Sequence, residues 1–334
     1  MQENWLEISA QFNTRERYVL AVIINTQGAT YRKAGTLMLI NERQQCTGLL
    51  SGGCLEADIA LHAQAVFSEQ NVKLLEYDLT ADADLLWGLG LGCEGAIDIL
   101  LLPLSPENNH LDFNVLLTTI EQRKQGRYWI SLPEKGEELA FLAKAIFSGQ
   151  HKVPKEANTS SGRWLSIPVT PAISVAILGA GPDAIPLANM AIQMGWQVTV
   201  HDHRENALAA IDFDLAVNKV KLRAENSQSG YFKQFNAAIV MTHNLSFDQQ
   251  YLATLLTSEV SYIGLLGPKA RRDKMLETVG SNYASHAERV FGPVGLNIGG
   301  RSPQAIALSI LAEVQQQMSS LLSVSQLDMA YVQQ

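Results

Sequence analysis

Ile173-Ser-Val-Ala-Ile-Leu178-Gly179-Ala-Gly181-Pro-Asp-Ala184 is the stretch whose reading decides the fold. A short apolar run with β-branched residues ends in two closely spaced glycines, and Asp183 to Met194 then read as a helix. The next apolar run, Gln197 to His201, leads into Asp202, about 20 residues beyond the turn. Strand, glycine turn, helix, strand and acid in that order are the pattern of a dinucleotide-binding βαβ unit, with Ala184 at the third glycine position. The glycines permit a tight turn and the close approach of a phosphate, which the first N–H groups and positive end of the helix would hold. Asp202 is placed to accept hydrogen bonds from ribose hydroxyls, and Arg204 to meet a phosphate. Gly179, Gly181, Asp202 and Arg204 are therefore candidate cofactor-binding residues. The alternative is a turn that only packs strand against helix.

Further strand-like runs at Ala237 to Met241 and Tyr262 to Leu265 alternate with helical segments, so a parallel α/β sheet is the expected assembly. His243 follows one of these strands, where open α/β sheets place ligands, and is a candidate acid/base with no visible partner. His201 and His203 flank Asp202 and read as strand-end polarity, since no third metal ligand accompanies them. Lys269, Arg271 and Arg272 read equally as a phosphate contact or a solvated helix face. Ser302-Pro303 starts a helix whose Ile306, Ile310, Val314 and Met318 fall on one face and read as core.

The first half differs in kind. Tyr18 to Ile24 and Leu37 to Ile40 are apolar runs separated by glycines, the mark of strands joined by turns. Behind Gly52-Gly53, the residues Leu55, Ile59, Ala63, Val66 and Phe67 recur at helical spacing, which puts Cys54 at a helix start. Ala96 to Pro103 reads as a buried strand that ends the first domain's core. The reading predicts an N-terminal domain over 1–105, a connecting region and linker over 106–172, with one helix near Phe113 to Gln125, and a Rossmann-like domain over 173–334. The fold class is α/β, a C-terminal parallel sheet domain with a smaller mixed β/α N-terminal domain.

Composition excludes several classes. The 334 residues are 47% hydrophobic and 17% charged, sufficient for sizeable cores and unlike a disordered chain. A formal charge of -8 gives no general attraction for nucleic acid or anionic lipid. No run approaches the length of a membrane span, and the N-terminus has no signal-peptide pattern, so a cytoplasmic protein is expected. Three cysteines are too few for a disulfide framework and point to reduced thiols.

Six stretches fit one family together: Ser51-Gly-Gly-Cys-Leu-Glu56, Gly90-Leu-Gly-Cys93, Gly179-Ala-Gly181, Met241-Thr-His243, Tyr262-Ile-Gly-Leu-Leu-Gly267 and Gly292-Pro-Val-Gly-Leu-Asn-Ile-Gly299. The chain resembles the XdhC/CoxI family, accessory factors of xanthine dehydrogenase and related molybdenum hydroxylases, over about Tyr18 to Leu104 and Ile173 to Gln317. It departs from the family pattern at Glu94 and at Asn244. The resemblance implies a maturation factor that binds molybdenum cofactor (molybdopterin) and takes part in exchanging an oxo for a sulfido ligand. Such a factor hands the cofactor to a client such as xanthine dehydrogenase, with a cysteine desulfurase as a further partner. A cofactor-binding chaperone is expected more than a self-contained enzyme, and a homodimer more than a monomer. The competing readings are an NAD(P)-dependent oxidoreductase and a nucleotide-sensing scaffold.

Cys54, Cys93 and His243 are the residues expected to carry chemistry. A thiol at a helix start behind two glycines is favoured as thiolate, and a soft thiolate can ligate molybdenum or carry a persulfide. Gly52 and Gly53 could cradle the cofactor's phosphate, with Glu56 as a further contact or a support for the helix's first turn. Cys93 sits among glycines that admit a ligand, beside Glu94, whose charge disfavours thiolate. Cys46 matches no motif and reads as structural.

Overall fold

The computed structural model describes residues 4–78, 95–133, 145–148, 163–210, 212–279, 288–323 and 331–332. The chain divides into two units, Met1–Pro171 with Leu327–Gln334, and Ala172–Gln326. Among the described residues, no helix is long and apolar enough to cross a membrane.

In the first unit, α1 (Trp5–Gln11) precedes β1 (Tyr18–Gly28), β2 (Leu37–Asn41), β3 (Cys46–Thr47), α2 (Glu56–Glu69), β4 (Lys73–Asp78) and β5 (Gly95–Leu104). Then come α3 (Phe113–Glu121), β6 (Gly126–Leu132), β7 (Ala145–Ser148) and β8 (Arg163–Val169). One antiparallel sheet has the order β3-β2-β1-β5-β4. Alternate residues of β1 serve two cores. Val19, Ala21 and Ile23 pack with Leu55, Ile59, Ala63 and Val66 of the α2 segment. Tyr18, Leu20 and Val22 pack with Phe113 and Leu116 of α3, Tyr128 and Ile130 of β6, and Leu165 and Ile167 of β8. A strand covered on both faces reads as an unbroken apolar run instead of an alternating one, which is how Tyr18 to Ile24 looks.

The core of this unit thus extends beyond β5, where the sequence reading ended it. The stretch expected as a connecting region carries β6, β7 and β8 of a second sheet, in which β6 lies between β8 and β7. Its edge strand β15 (Tyr331–Val332) pairs antiparallel with β8, so the end of the chain falls in the first unit and not with the Rossmann-like residues.

The second unit runs β9 (Ser174–Leu178), α4 (Ala184–Gln193), β10 (Gln197–Asp202), β11 (Asn218–Lys221), β12 (Ala237–Val240), α5 (Leu245–Leu256), β13 (Tyr262–Leu265), α6 (Lys269–Val279), β14 (Val290–Phe291) and α7 (Pro303–Ser323). The sheet is parallel in the order β11-β10-β9-β12-β13-β14. This is the doubly wound nucleotide-binding order, which reverses direction between β9 and β12. Val175 and Ile177 face α4 and α7, and Ala176 and Leu178 face α5. Ile310, Val314 and Met318 of α7 are core, as expected, with Ile306 partly buried. The Ser302 hydroxyl accepts from Ala305 N at 3.2 Å, so the predicted N-cap forms.

Candidate functional site

Ser51 to Leu55 connects β3 to α2 as a pre-shaped loop. Gly52 and Gly53 have φ of +77° and +101°, a region that penalises a side chain, and Cys54 follows them on the surface. Helix α2 begins at Glu56, so Cys54 precedes the helix instead of standing within its first turn. The Glu56 carboxylate folds back over the loop. Its Oε1 accepts from Leu50 N at 2.9 Å and Ser51 N at 2.8 Å, and its Oε2 from Ser51 Oγ at 2.6 Å and Gly53 N at 3.0 Å. Ser51 Oγ in turn accepts from Leu55 N at 2.7 Å. Burial alone would raise the Glu56 carboxyl, but these donors from Ser51 and Leu50 hold it below the usual range.

One acid therefore sets the conformation that presents Cys54. It also takes the N–H groups of Leu50, Ser51 and Gly53, of which Gly53's is one that the sequence reading offers to a phosphate. The Tyr31 ring lies against the loop, since a Cβ on Gly52 would be 3.5 Å from it. Cys46, on β3, is exposed as Cys54 is, and so is not the core-packing thiol the sequence reading expects; desolvation and the Glu56 carboxylate push its thiol up. Cys93, with Gly90, Gly92 and Glu94, lies outside the described residues.

In the second unit, Gly179 has φ +122°, and a Cβ there would meet the Met241 carbonyl oxygen at 2.5 Å. Only glycine lets the exits of β9 and β12 pass this closely. Asp202 is buried and fully engaged. Its Oδ2 accepts from Ala180 N at 2.8 Å and Arg204 Nη2 at 2.8 Å, and its Oδ1 from Arg204 N at 2.8 Å and Nε at 3.0 Å. Burial opposes the charge, yet the bonds from Arg204 and Ala180 prevail and bring the carboxyl down to about 2. Asp202 thus ties the end of β10 to the glycine turn, where the sequence reading reserved it for ribose. A cavity of about 210 Å³ opens beside it, lined by Gly179, Asp202, His203, Arg204, Phe247 and Tyr251 among others. The His203 ring meets Phe247 edge-on at 5.1 Å.

His243 has φ +59°, uncommon for a residue with a side chain, and its Nε2 lies 2.8 Å from Asp183 Oδ2. The sequence reading found no partner for this histidine, and the fold supplies one from 60 positions away. Asp183 stands at the N-cap of α4 without making a cap bond, and its Oδ1 is buried with no hydrogen-bond partner. The neighbouring residues hold the β12 exit. Thr242 Oγ1 donates to Asp248 Oδ1 at 2.5 Å, Arg271 Nη2 donates to Asp248 Oδ2 at 2.5 Å, and Asn244 caps α5. Arg271 is thereby spent on Asp248 and Arg272 on Asp273. His201 is wholly buried, with Nε2 2.8 Å from Tyr231 Oη, and belongs to the core. No group of three or more His, Cys, Asp or Glu able to hold a metal occurs among the described residues.

Comparison with known proteins agrees with this architecture. Residues 12–78 match the XdhC and CoxI family, and residues 175–314 match the XdhC Rossmann domain. The chain is 30% identical over 339 residues to a probable xanthine dehydrogenase subunit of Bacillus subtilis, across 92% of this chain and 95% of that one. It is 23% identical over 299 residues to the molybdenum cofactor insertion chaperone PaoD of Escherichia coli, across 89% and 82% of the two chains. The crystal structure of a xanthine dehydrogenase from Bacillus halodurans superposes with a TM-score of 0.76, at 29% identity over 96% of both chains. By motif order, by the parallel sheet with its glycine turn, and by likeness along nearly its whole length, the chain belongs to the XdhC and CoxI family.

Proposed function

We propose that this chain binds molybdenum cofactor and serves its sulfuration and insertion into a xanthine dehydrogenase-like molybdenum hydroxylase. The observation that carries this reading is Cys54, a solvent-facing thiol on a loop that Glu56 holds in place. A soft sulfur donor suits molybdenum, and a pre-shaped loop lowers the ordering cost of capturing a ligand. The bland alternative for a free cysteine is core packing, and an exposed sulfur does not fill that role. The likeness to an insertion chaperone supports the same class of activity.

The cofactor's anionic end needs a site other than the N–H groups of Leu50, Ser51 and Gly53, which Glu56 occupies. In the second unit, His203 and Arg204 line the cavity at the carboxyl ends of β9, β10 and β12, and an anion there would share the Arg204 guanidinium with Asp202, to which it is already bonded. This reading keeps a cytoplasmic homodimer that receives sulfur from a cysteine desulfurase.

Timed alkylation tests it. Near neutral pH, Cys54 is expected to react faster than Cys46, whose thiol is raised, and bound cofactor is expected to protect it. Cys54→Ser should fold as the parent does, retain less cofactor by released pterin fluorescence, and activate a client apoenzyme about tenfold or more below the parent, at least the loss that removing even an outer partner of a metal site brings. An inert, unprotected Cys54, together with a serine variant that activates its client normally, would refute the assignment.

A further inference from the structure

The parallel sheet and glycine turn imply an NAD(P)-type dinucleotide, and the residues over the turn do not fit one. In such turns the second glycine lets the backbone approach the pyrophosphate, which rests on the helix N-terminus. Here that space is already used. A Cβ built on Gly181 would lie 2.6 Å from Asp183 Oδ1 and 3.7 Å from His243 Cδ2 and Nε2. The approach path is filled by a carboxylate with an imidazole beside it.

Two further amides of the turn are engaged as well. Gly179 N donates to the His201 carbonyl at 2.8 Å, and Ala180 N donates to Asp202 Oδ2 at 2.8 Å. An arriving pyrophosphate would meet Asp183 in front of it and Asp202 beside it, the latter neutralised by Arg204. Like charges this close repel, and the repulsion is strongest where water is excluded. The pose of Asp183 has visible costs. Its Oδ1 is buried without a hydrogen bond, and its partner His243 holds a backbone conformation that disfavours a side chain. The contact between Asp183 Oδ2 and His243 Nε2 at 2.8 Å keeps it there.

We infer that Asp183, latched by His243, is a specificity-determining residue that closes the dinucleotide seat of this Rossmann unit, so that the chain rejects NAD(P) and other pyrophosphates at the turn. The ligand of the second unit then enters through the neighbouring cavity, past His203 and Arg204, and not across Gly181. This inference stands apart from the molybdenum reading, because it concerns a ligand that the chain excludes.

The test is a gain of binding. The full-length parent, Asp183→Ala, Asp183→Asn and His243→Ala are titrated with ADP by calorimetry and with NADH by fluorescence, after circular dichroism has shown that each folds as the parent does. The parent is expected to show no saturable binding below about 1 mM, and Asp183→Ala to tighten ADP about tenfold or more. Asp183→Asn, which loses the charge and keeps the volume, should fall between them, as should His243→Ala, which frees the carboxylate to swing away. A parent that binds ADP or NADH as tightly as Asp183→Ala overturns the inference. So does an Asp183→Ala chain that folds and still takes no ADP, because something else then closes the seat. Neither result depends on whether the protein retains molybdenum cofactor.

Discussion

Replacing Glu56 with alanine is expected to melt the loop that presents Cys54 and to lower the melting temperature of the first unit. The carboxylate accepts four hydrogen bonds, from Leu50 N, Ser51 N, Ser51 Oγ and Gly53 N. Bonds to a charged group contribute about 1.5–3 kcal/mol each, and removing the acceptor strands its donors, but water reaches the loop and repairs part of the loss, leaving about 3 kcal/mol. At this size that corresponds to about 6–12 °C. Glu56→Gln keeps the volume and one acceptor oxygen, but its amide nitrogen would turn donors toward donors, so it should behave more like alanine than like the parent. Amide exchange at Leu50, Ser51 and Gly53 should accelerate in both variants, with cofactor retention falling although Cys54 is intact. The pH dependence follows from the lowered carboxyl. Its contribution is present above the ordinary glutamate range and is lost as pH falls through the depressed folded value, so the parent's loop should open in acid. An alanine variant within about 1 °C of the parent would show that the loop holds itself.

The second unit was legible because its strands, turn and helices obey local rules. Ala176 and Leu178 face one core while Val175 and Ile177 face the other, so β9 reads as solid apolar sequence closed by glycine. Strands β11 and β14 were not legible. Asn218 to Lys221 is an edge strand, largely exposed, and holds its place by backbone pairing with β10 more than by apolar burial. Val290–Phe291 is two residues long, too short for any periodicity. In the first unit, the difficulty was that one sheet is covered by a helix on one face and by a second sheet on the other. Nothing local in Gly126 to Leu132 or Arg163 to Val169 tells that they close a core begun at Tyr18.

The candidate site divides in the same way. Gly52, Gly53, Gly179 and Gly181 were visible as turn formers, and positive φ at the first three follows from their type. What occupies the turns was not visible. Glu56, Asp183 and Asp202 each place a carboxylate on or over a glycine turn, and a sequence motif records the empty turn without recording which side chain folds back into it. Asp183 could have been marked as an acid at a helix N-cap, yet its pairing with His243 depends on β9 and β12 being neighbours, a consequence of the strand order.

Acid should weaken the second unit through His201, a residue the sequence reading set aside as strand polarity. Its ring is wholly buried, with Nε2 2.8 Å from Tyr231 Oη and with Tyr231, Phe232 and Phe235 packed around it at centroid distances of 5.6, 6.1 and 5.7 Å. Its Nδ1 has no hydrogen-bond partner. A proton added here would place a charge among aromatic faces, and although the Ile177 and Thr199 backbone favours the charged ring, burial prevails and pushes the imidazole down to about 4 from the ordinary 6.5. The unfolded chain binds this proton near pH 6.5 and the folded chain only near 4, so between those values the unfolded state carries more protons and stability falls as pH falls. Each unit of difference is worth about 1.4 kcal/mol, which makes the loss about 3 kcal/mol by about pH 4. Amide exchange of β9, β10 and β12, corrected for intrinsic rates, measures it as a decline in opening free energy from about pH 7 to about pH 4. His201→Phe leaves Tyr231 without its partner and should start lower at neutral pH, but its profile should lack this part of the slope, because no titrating group remains. If the two profiles run parallel across that range, the buried imidazole contributes nothing to the acid response and its proton is taken up elsewhere.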